Sequence, residues 1–329
     1  MNELSPEQSV HVRSLAERFG ASFPDEAPTW RTVGREAEYP VVWPDGSAAD
    51  VTDLWDDLAG SDLTPLQESE QLVVGLEGEH YSYALEVGWG TIEVITGPCE
   101  DLHGLSRVHE DAVQRLVRVA EAHGRHVLGY GIQPRTPASV ELMSPKHRYG
   151  VLLEAMGEGW LWFTQTASDQ VHVDVGRQEV VAAANLGNLL APVTIALTGN
   201  SPVHEDQSGR ACSLREEGMG TIEAVDHRHG MPDTPWRDLE DMVGRLARQR
   251  LFMDRIGGQL VATDGCFLDH LERLGGGASQ AAWESFLLHE HYAWNSARPR
   301  SAQGTVELRA ACQQPWSGHM SAAALGLAL

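Results

Sequence analysis

Lysine is almost missing. Of 24 basic residues only Lys146 is not an arginine, so an anion handled by this chain meets planar guanidinium forks and not flexible ammonium groups. No GxxxxGK[ST] loop occurs and no GxGxxG follows a strand, which excludes a P-loop and a Rossmann dinucleotide site. Cysteine is scarce too: Cys99, Cys212, Cys266 and Cys312 stand far apart with no CxxC pair. That spacing excludes a zinc knuckle and a disulfide frame and points to reduced thiols. No apolar run is read as reaching the length of a membrane span, and the opening MNELSPEQSV is polar and acidic. A cytoplasmic location with no membrane partner is the expectation. Positive charge is outweighed: 47 acidic side chains set the formal net charge at −23, which argues against a nucleic-acid partner.

What is present is an ordinary globular composition, 42% hydrophobic and 22% charged over 329 residues, enough for one large domain. Residues 1–30 read as an N-terminal helix and linker, the helix opened by Ser5-Pro6-Glu7 and ending at Gly20. A strand follows at GREAEYPVVW (34–43), then a hairpin over 72–87 and a strand at GTIEVIT (90–96). The spacing predicts an amphipathic helix over 106–123, short strands at 126–134 and 166–175, and a buried apolar helix over 179–198. Helices are expected over 237–256 and 279–292, and a last strand over 304–310. Mixed elements without βαβ alternation predict an α+β fold whose antiparallel sheet has helices on one face and polar groups on the other.

The polar face carries the chemistry. Glu36 and Glu38 share one side of their strand, where two carboxylates repel unless the face is solvated or a cation joins them. Glu93 in TIEVI, His172 in VHVDV and Glu307 with Arg309 in TVELR also oppose apolar neighbours. Each taken alone fits a half-exposed strand. Glu86 and Glu93 are an odd number of residues apart, but Gly88-Trp89-Gly90 between them can bend the chain and let them converge. Five glutamates and a histidine would suit two or three hard cations, Mg²⁺ or, with the imidazole, Mn²⁺. Arg309 would then stand where a transferring phosphoryl group needs positive charge.

In order along the chain, GREAEYPVV, ALEVGWGTIEVITGPCEDLHGL, GYGIQP, MSPKHRYGVL, TASDQVHVDV, ALTGNSPV, CSLREEG and GTVELRAACQQPW resemble the motifs of the glutamate–cysteine ligase family, nearest its plant and actinobacterial branch, over about residues 33–329. The resemblance implies a glutamine-synthetase-like fold and an ATP-dependent carboxylate–amine ligase that phosphorylates a glutamate side chain and passes it to an amine. It implies metal ligation by Glu36, Glu38, Glu86, Glu93, His172 and Glu307, and a phosphate contact at Arg309. It also implies substrate contacts at Arg148, Tyr149, Arg215, Trp89 and Asn200. ATP and two to three Mg²⁺ or Mn²⁺ ions are the implied cofactors, with glutamate or a related acid and an amine or amino acid as small-molecule partners.

Two departures stand out. Val87-Gly88-Trp89 replaces a Pro-Gly-Gly, placing an indole in a loop expected to hug ligand. Cys312 replaces an acidic residue after Arg309-Ala310-Ala311 and is read as a buried thiol. A metal-dependent hydrolase on the same face and a non-catalytic relative remain as alternatives. The DHRHG (226–230) and HEHY (289–292) histidines are read as surface loop and helix residues, and Trp160 and Trp162 as either packing or pocket-edge residues.

Overall fold

The computed structural model describes residues 4–209, 211–222 and 228–328. Among these, nine strands build the main sheet: β1 (Val33–Val42), β2 (Thr64–Ser69), β3 (Leu72–Glu77), β4 (Tyr81–Leu85), β5 (Thr91–Cys99), β6 (His126–Val127), β7 (Asp169–Asp174), β8 (Ala297–Arg300) and β9 (Thr305–Leu308). Their order is β8-β9-β7-β1-β5-β4-β3-β2, with β6 also on β1. Every pairing within it is antiparallel. The α+β expectation therefore stands. Because strand side chains alternate, Ala37, Tyr39 and Val41 of β1 and Ile92 and Val94 of β5 face one way. They pack against Val113 and Leu116 of the helix Leu102–Ala122. The opposite face of the same strands holds Glu36, Glu38 and Glu93.

Under that acidic face lies a fully buried ion pair. Arg35 donates to both carboxylate oxygens of Asp169 at 2.7 Å, with neither side chain exposed. It ties β1 to β7, whose register sets Gly34 opposite His172 and Glu36 opposite Gln170. The N-terminal helix spans Pro6–Ala21 behind a Ser5–Gln8 capping box. Its Val12, Leu15 and Phe19 pack into a cluster with Val243 and Phe286.

Several expectations change. The strand expected over 126–134 shrinks to His126–Val127. The helix expected over 237–256 stops at Ala247, and Met253–Ile256 pairs with Gln259–Ala262 as a hairpin. Gly257 and Gly258 both take positive φ, 61° and 85°, as a two-residue hairpin turn requires. Helix Val180–Thr198 is long and apolar enough to cross a membrane by length and composition, contrary to the reading of the apolar runs. Nor is it wholly buried. Gly187 lets it approach Ala297 and Leu308, and the Asn188 amide exchanges two 2.8 Å hydrogen bonds with the Ala297 backbone. Leu189, Val193 and Leu197 on its other side stay exposed.

Candidate active site

Strand register gathers the acidic residues. Glu38 lies directly opposite Glu93 across the β1–β5 pair, and Glu307 opposite His172 across β9–β7. Between β4 and β5 the chain presses so close to Thr164 that a Cβ on Gly88 would lie 1.9 Å from the Thr164 carbonyl oxygen. Only glycine fits there, and the turn brings Glu86 round to Glu93. Two ligand sets result, Glu36–His172–Glu307 and Glu38–Glu86–Glu93, each with donor atoms within 4.8 Å of one another. Glu36 and Glu38 thus fall into different candidate sets, although they share a strand face. Residues i and i+2 on a strand stand about 7 Å apart, and each finds closer partners across the sheet.

Both sets fit divalent cations. In the second, burial and then Glu38 push the Glu86 carboxyl up to about 7. Burial and then Glu36 raise Glu93 well above the carboxylate range. Three converging carboxyls with that electrostatic cost are what a bound cation relieves. Glu38 is oriented by Ser168 N at 2.6 Å, Ser168 Oγ at 2.8 Å and Gln170 Nε2 at 2.8 Å. In the first set, the His172 Nδ1 contact with Thr305 Oγ1, 3.0 Å, fixes the ring. Its Nε2 lies 3.1 Å from Glu36 Oε1 yet makes no aligned hydrogen bond, an orphaned buried nitrogen suited to ligation. Burial pushes Glu36 up, but His172, Arg300 and Arg309 outweigh it and hold it at about 2.

Guanidinium groups crowd the first set. Arg298 straddles Glu307, with Nε 3.0 Å from Oε2 and Nη2 3.2 Å from Oε1; Arg300 Nε lies 3.2 Å from Oε2. Arg309 donates to Glu307 and Gln170. Burial and then mutual repulsion, Arg298 against Arg309 and Arg300 against Arg298, draw Arg309 and Arg298 down to about 9. A polyanion entering here would remove that repulsion.

Of the expected substrate contacts, Arg148, Tyr149 and Arg215 line the pocket over these clusters. Arg148 stacks on Tyr149, 5.0 Å from the ring centre, and its Nη2 donates to the phenol oxygen at 3.2 Å. Arg215 pairs with Glu216. Trp89 does not reach the pocket lining. Its backbone N–H is pinned to Leu142 O at 3.0 Å and its indole donates to Glu141 O, turning the ring toward the core behind the sheet. Asn200 is also elsewhere, its amide spent on Gly129 O and Gln313 O at 2.8 and 2.9 Å. Cys312 is buried, 3.3 Å from Ser213 Oγ.

Other wall residues went unread in the sequence: Arg298, Arg300, Gln170, Glu216, and the aromatics Phe163, Tyr292 and Trp294. Alternation could have found some, since Arg298 and Arg300 share one strand face and Gln170 shares that of His172. His229 and His291 also line the pocket, correcting their reading as surface residues; Asp226 and His227 of DHRHG lie outside the described residues. Trp160 lines the wall, whereas Trp162 packs beside Gly218 and donates to Arg215 O at 3.3 Å. Lys146, the single lysine, is buried behind Glu86 with Nζ on Leu85 O, and burial lowers it to about 8.

An antiparallel sheet carries on one face two clusters of side chains that could each hold a metal ion, flanked by arginines, in an α+β protein. By family, the chain belongs to glutamate–cysteine ligase family 2, GCS2, whose model matches residues 32–329. A protein of Rubrobacter xylanophilus provisionally named glutamate–cysteine ligase 2-3 is 28% identical over 313 residues, which is 93% of this chain and 69% of that one. The chloroplastic glutamate–cysteine ligase A of Oryza sativa subsp. indica is 30% identical over 151 residues, 44% of this chain and 30% of its own length. Among solved structures, the glutamate–cysteine ligase of Francisella tularensis in complex with AMP matches with a TM-score of 0.48 and 14% identity, over 87% of this chain and 61% of that one. This chain therefore spans 30% to 69% of the lengths of these relatives.

Proposed function

We propose that this chain is an ATP-dependent carboxylate–amine ligase: it converts the γ-carboxylate of glutamate to an acyl phosphate and joins it to an amine, releasing ADP and phosphate. The family and the names of its relatives support the substrate pair. The observation that carries the chemistry is the placement of Arg298, Arg300 and Arg309 on Glu307, beside a carboxylate–imidazole cation set. Three guanidinium groups beside a cation site oppose the cation unless a polyphosphate arrives with it. A metal-dependent amide hydrolase acting without ATP has no polyphosphate for them to meet.

Glu38, Glu86 and Glu93 would hold one divalent cation and Glu36, His172 and Glu307 another, Mg²⁺ or Mn²⁺ by donor type. Such ions would neutralise ATP oxygens and polarise the transferred phosphoryl group. Arg309 and its neighbours then move from Glu307 to the phosphate chain, exchanging one charge-assisted contact for another. Arg148 takes the α-carboxylate of glutamate, which leaves the γ-carboxylate pointing to the metals. Gln170 and Ser168 keep Glu38 from turning away.

The test is ADP release by purified protein with ATP, Mg²⁺ and glutamate across a panel of amines that includes cysteine, with products identified by mass spectrometry. Amine-dependent ADP release with a γ-glutamyl amide is the expected result. ATP turnover indifferent to glutamate would overturn it.

A further inference from the structure

We propose that the exposed side of helix Val180–Thr198 is the contact surface for a second copy of this chain, packed antiparallel across a two-fold axis. The helix has no charged side chain over its 19 residues, in a chain whose formal net charge is −23. Two copies with that charge repel over most of their surface, and an uncharged face is where they can meet. Ala182, Leu186, Leu189, Val193, Ala196 and Leu197 stay exposed along one side of the helix. The first five recur at alternating steps of four and three residues, the spacing by which one helix seats its side chains between those of another. Leu189 and Leu197 are 65% and 68% exposed. Single apolar residues are ordinary on a protein surface, whereas a contiguous stripe marks a contact.

The shape of this face commits it to a copy of itself. Beside its first turns the helix borders a groove of about 460 Å³. Ala182, Ala183 and Leu186 form one wall, Leu327 of the C-terminal helix Ser321–Ala328 stands opposite, and Val306 and Leu308 lie in the floor. At the far end of the helix Leu197 projects, about three turns beyond Leu186 and on the same flank. A two-fold axis near Ala191, perpendicular to the helix, reverses the helix direction and keeps that flank. Leu197 of each copy then falls at the groove of the other, while Leu189 meets Val193 and Leu186 meets Ala196. A projection and its recess on one element are the self-complementary arrangement of an isologous dimer. The charges at the groove, Arg31 and Glu179, neutralise each other at 2.6 Å. A helix of this length is about 28 Å long, and a seam about 10 Å wide covers on the order of 300 Å² on each copy. With the groove and the C-terminal helix the area rises to roughly 500 Å² a side, at the low end for specific association, so the copies should pair at micromolar concentration.

The experiment is sedimentation equilibrium of the full chain from low to high micromolar concentration, at physiological salt and with a reductant that keeps the exposed Cys212 from linking copies. The expected result is a monomer–dimer equilibrium. Leu189→Glu and Leu197→Glu should each raise its Kd at least about tenfold, because a carboxylate enters an apolar seam. Leu197→Met, which keeps an apolar projection, should retain the dimer. Val10→Glu, at an exposed position on the N-terminal helix, should leave association unchanged. All four positions changed are on the surface, so melting curves should match wild type and separate a lost contact from a lost fold. In a Cys212→Ser background, Leu186→Cys mixed with Ala196→Cys should cross-link under mild oxidation faster than either variant alone. Faster linking of either alone would overturn the antiparallel order. A monomer at every concentration would overturn the proposal, as would a dimer indifferent to both glutamate substitutions. A monomer that floats with phosphatidylcholine vesicles, and ceases to do so as Leu197→Glu, would assign the face to lipid and overturn it as well.

Discussion

Removing a charge from the acidic cluster should stabilise the metal-free protein. Burial, then Glu38, holds the Glu86 carboxyl at about 7 against an ordinary 4.5. An acid whose value is raised in the folded state adds stability that is complete below its unfolded value and is lost as pH climbs through the folded one. Between pH 4.5 and 7 the folded chain must therefore ionise a group it prefers neutral. By pH 8 this loss reaches about 3 kcal/mol, and at pH 5.5 it is about 1.4 kcal/mol. Glu86→Gln removes the loss and keeps an oxygen for the 3.2 Å hydrogen bond from Val87 N. In EDTA at pH 8 the variant should melt about 4–6 °C above wild type, at roughly 2 °C per kcal/mol for a chain of this size. The gap should shrink by more than half at pH 5.5. With saturating Mn²⁺ the order should invert, because the native state of the wild type gains binding energy that the variant gives up. Melting curves by circular dichroism at both pH values, in EDTA and in Mn²⁺, measure all four arms. A variant that melts below wild type in EDTA at pH 8 would refute the reasoning, since it would mean Glu86 is held by favourable contacts and not confined against repulsion.

Asp169→Asn leaves Arg35 charged and buried without its partner and should cost about 3–5 kcal/mol in urea unfolding; a loss under about 1 kcal/mol would contradict the burial of this pair. Arg309→Ala should slow phosphoryl transfer by about 10²–10³-fold, the range for one preorganised donor at developing charge, with ATP affinity little changed in equilibrium binding. An effect confined to ATP affinity would remove Arg309 from the transition state. Trp89→Phe should leave the acceptor profile as it is, because the indole turns away from the pocket; a changed profile would put residue 89 back in the site.

Alternation made much of the face legible. Ile92 and Val94 against Glu93, and Val306 and Leu308 against Glu307, are patterns with period two, and register then places Glu38 beside Glu93 and His172 beside Glu307. The pairing of strands distant in sequence is what alternation does not carry. Glu36 and Glu38 look like partners until β7 and β5 are set on either side of β1 and draw them into separate sets. Trp89 was misplaced for a related reason: a glycine beside a bulky residue locates a tight turn but not the side to which the ring swings. Phe163 and Trp294 were hidden because they sit in a 3₁₀ segment and a two-residue strand, where no period operates. Helix Val180–Thr198 was read as buried because it is apolar all round, yet among the described residues only one side has partners.

In the proposed reaction the acidic face with its arginines directs phosphate from ATP to a carboxylate. That transfer is tested most directly with glutamate carrying ¹⁸O in the γ-carboxylate, incubated with ATP, Mg²⁺ and an accepted amine, followed by mass spectrometry of the released phosphate. Formation of an acyl phosphate predicts one ¹⁸O in each phosphate released. Phosphate without the label would mean that water attacks ATP directly, and the ligase account would be wrong.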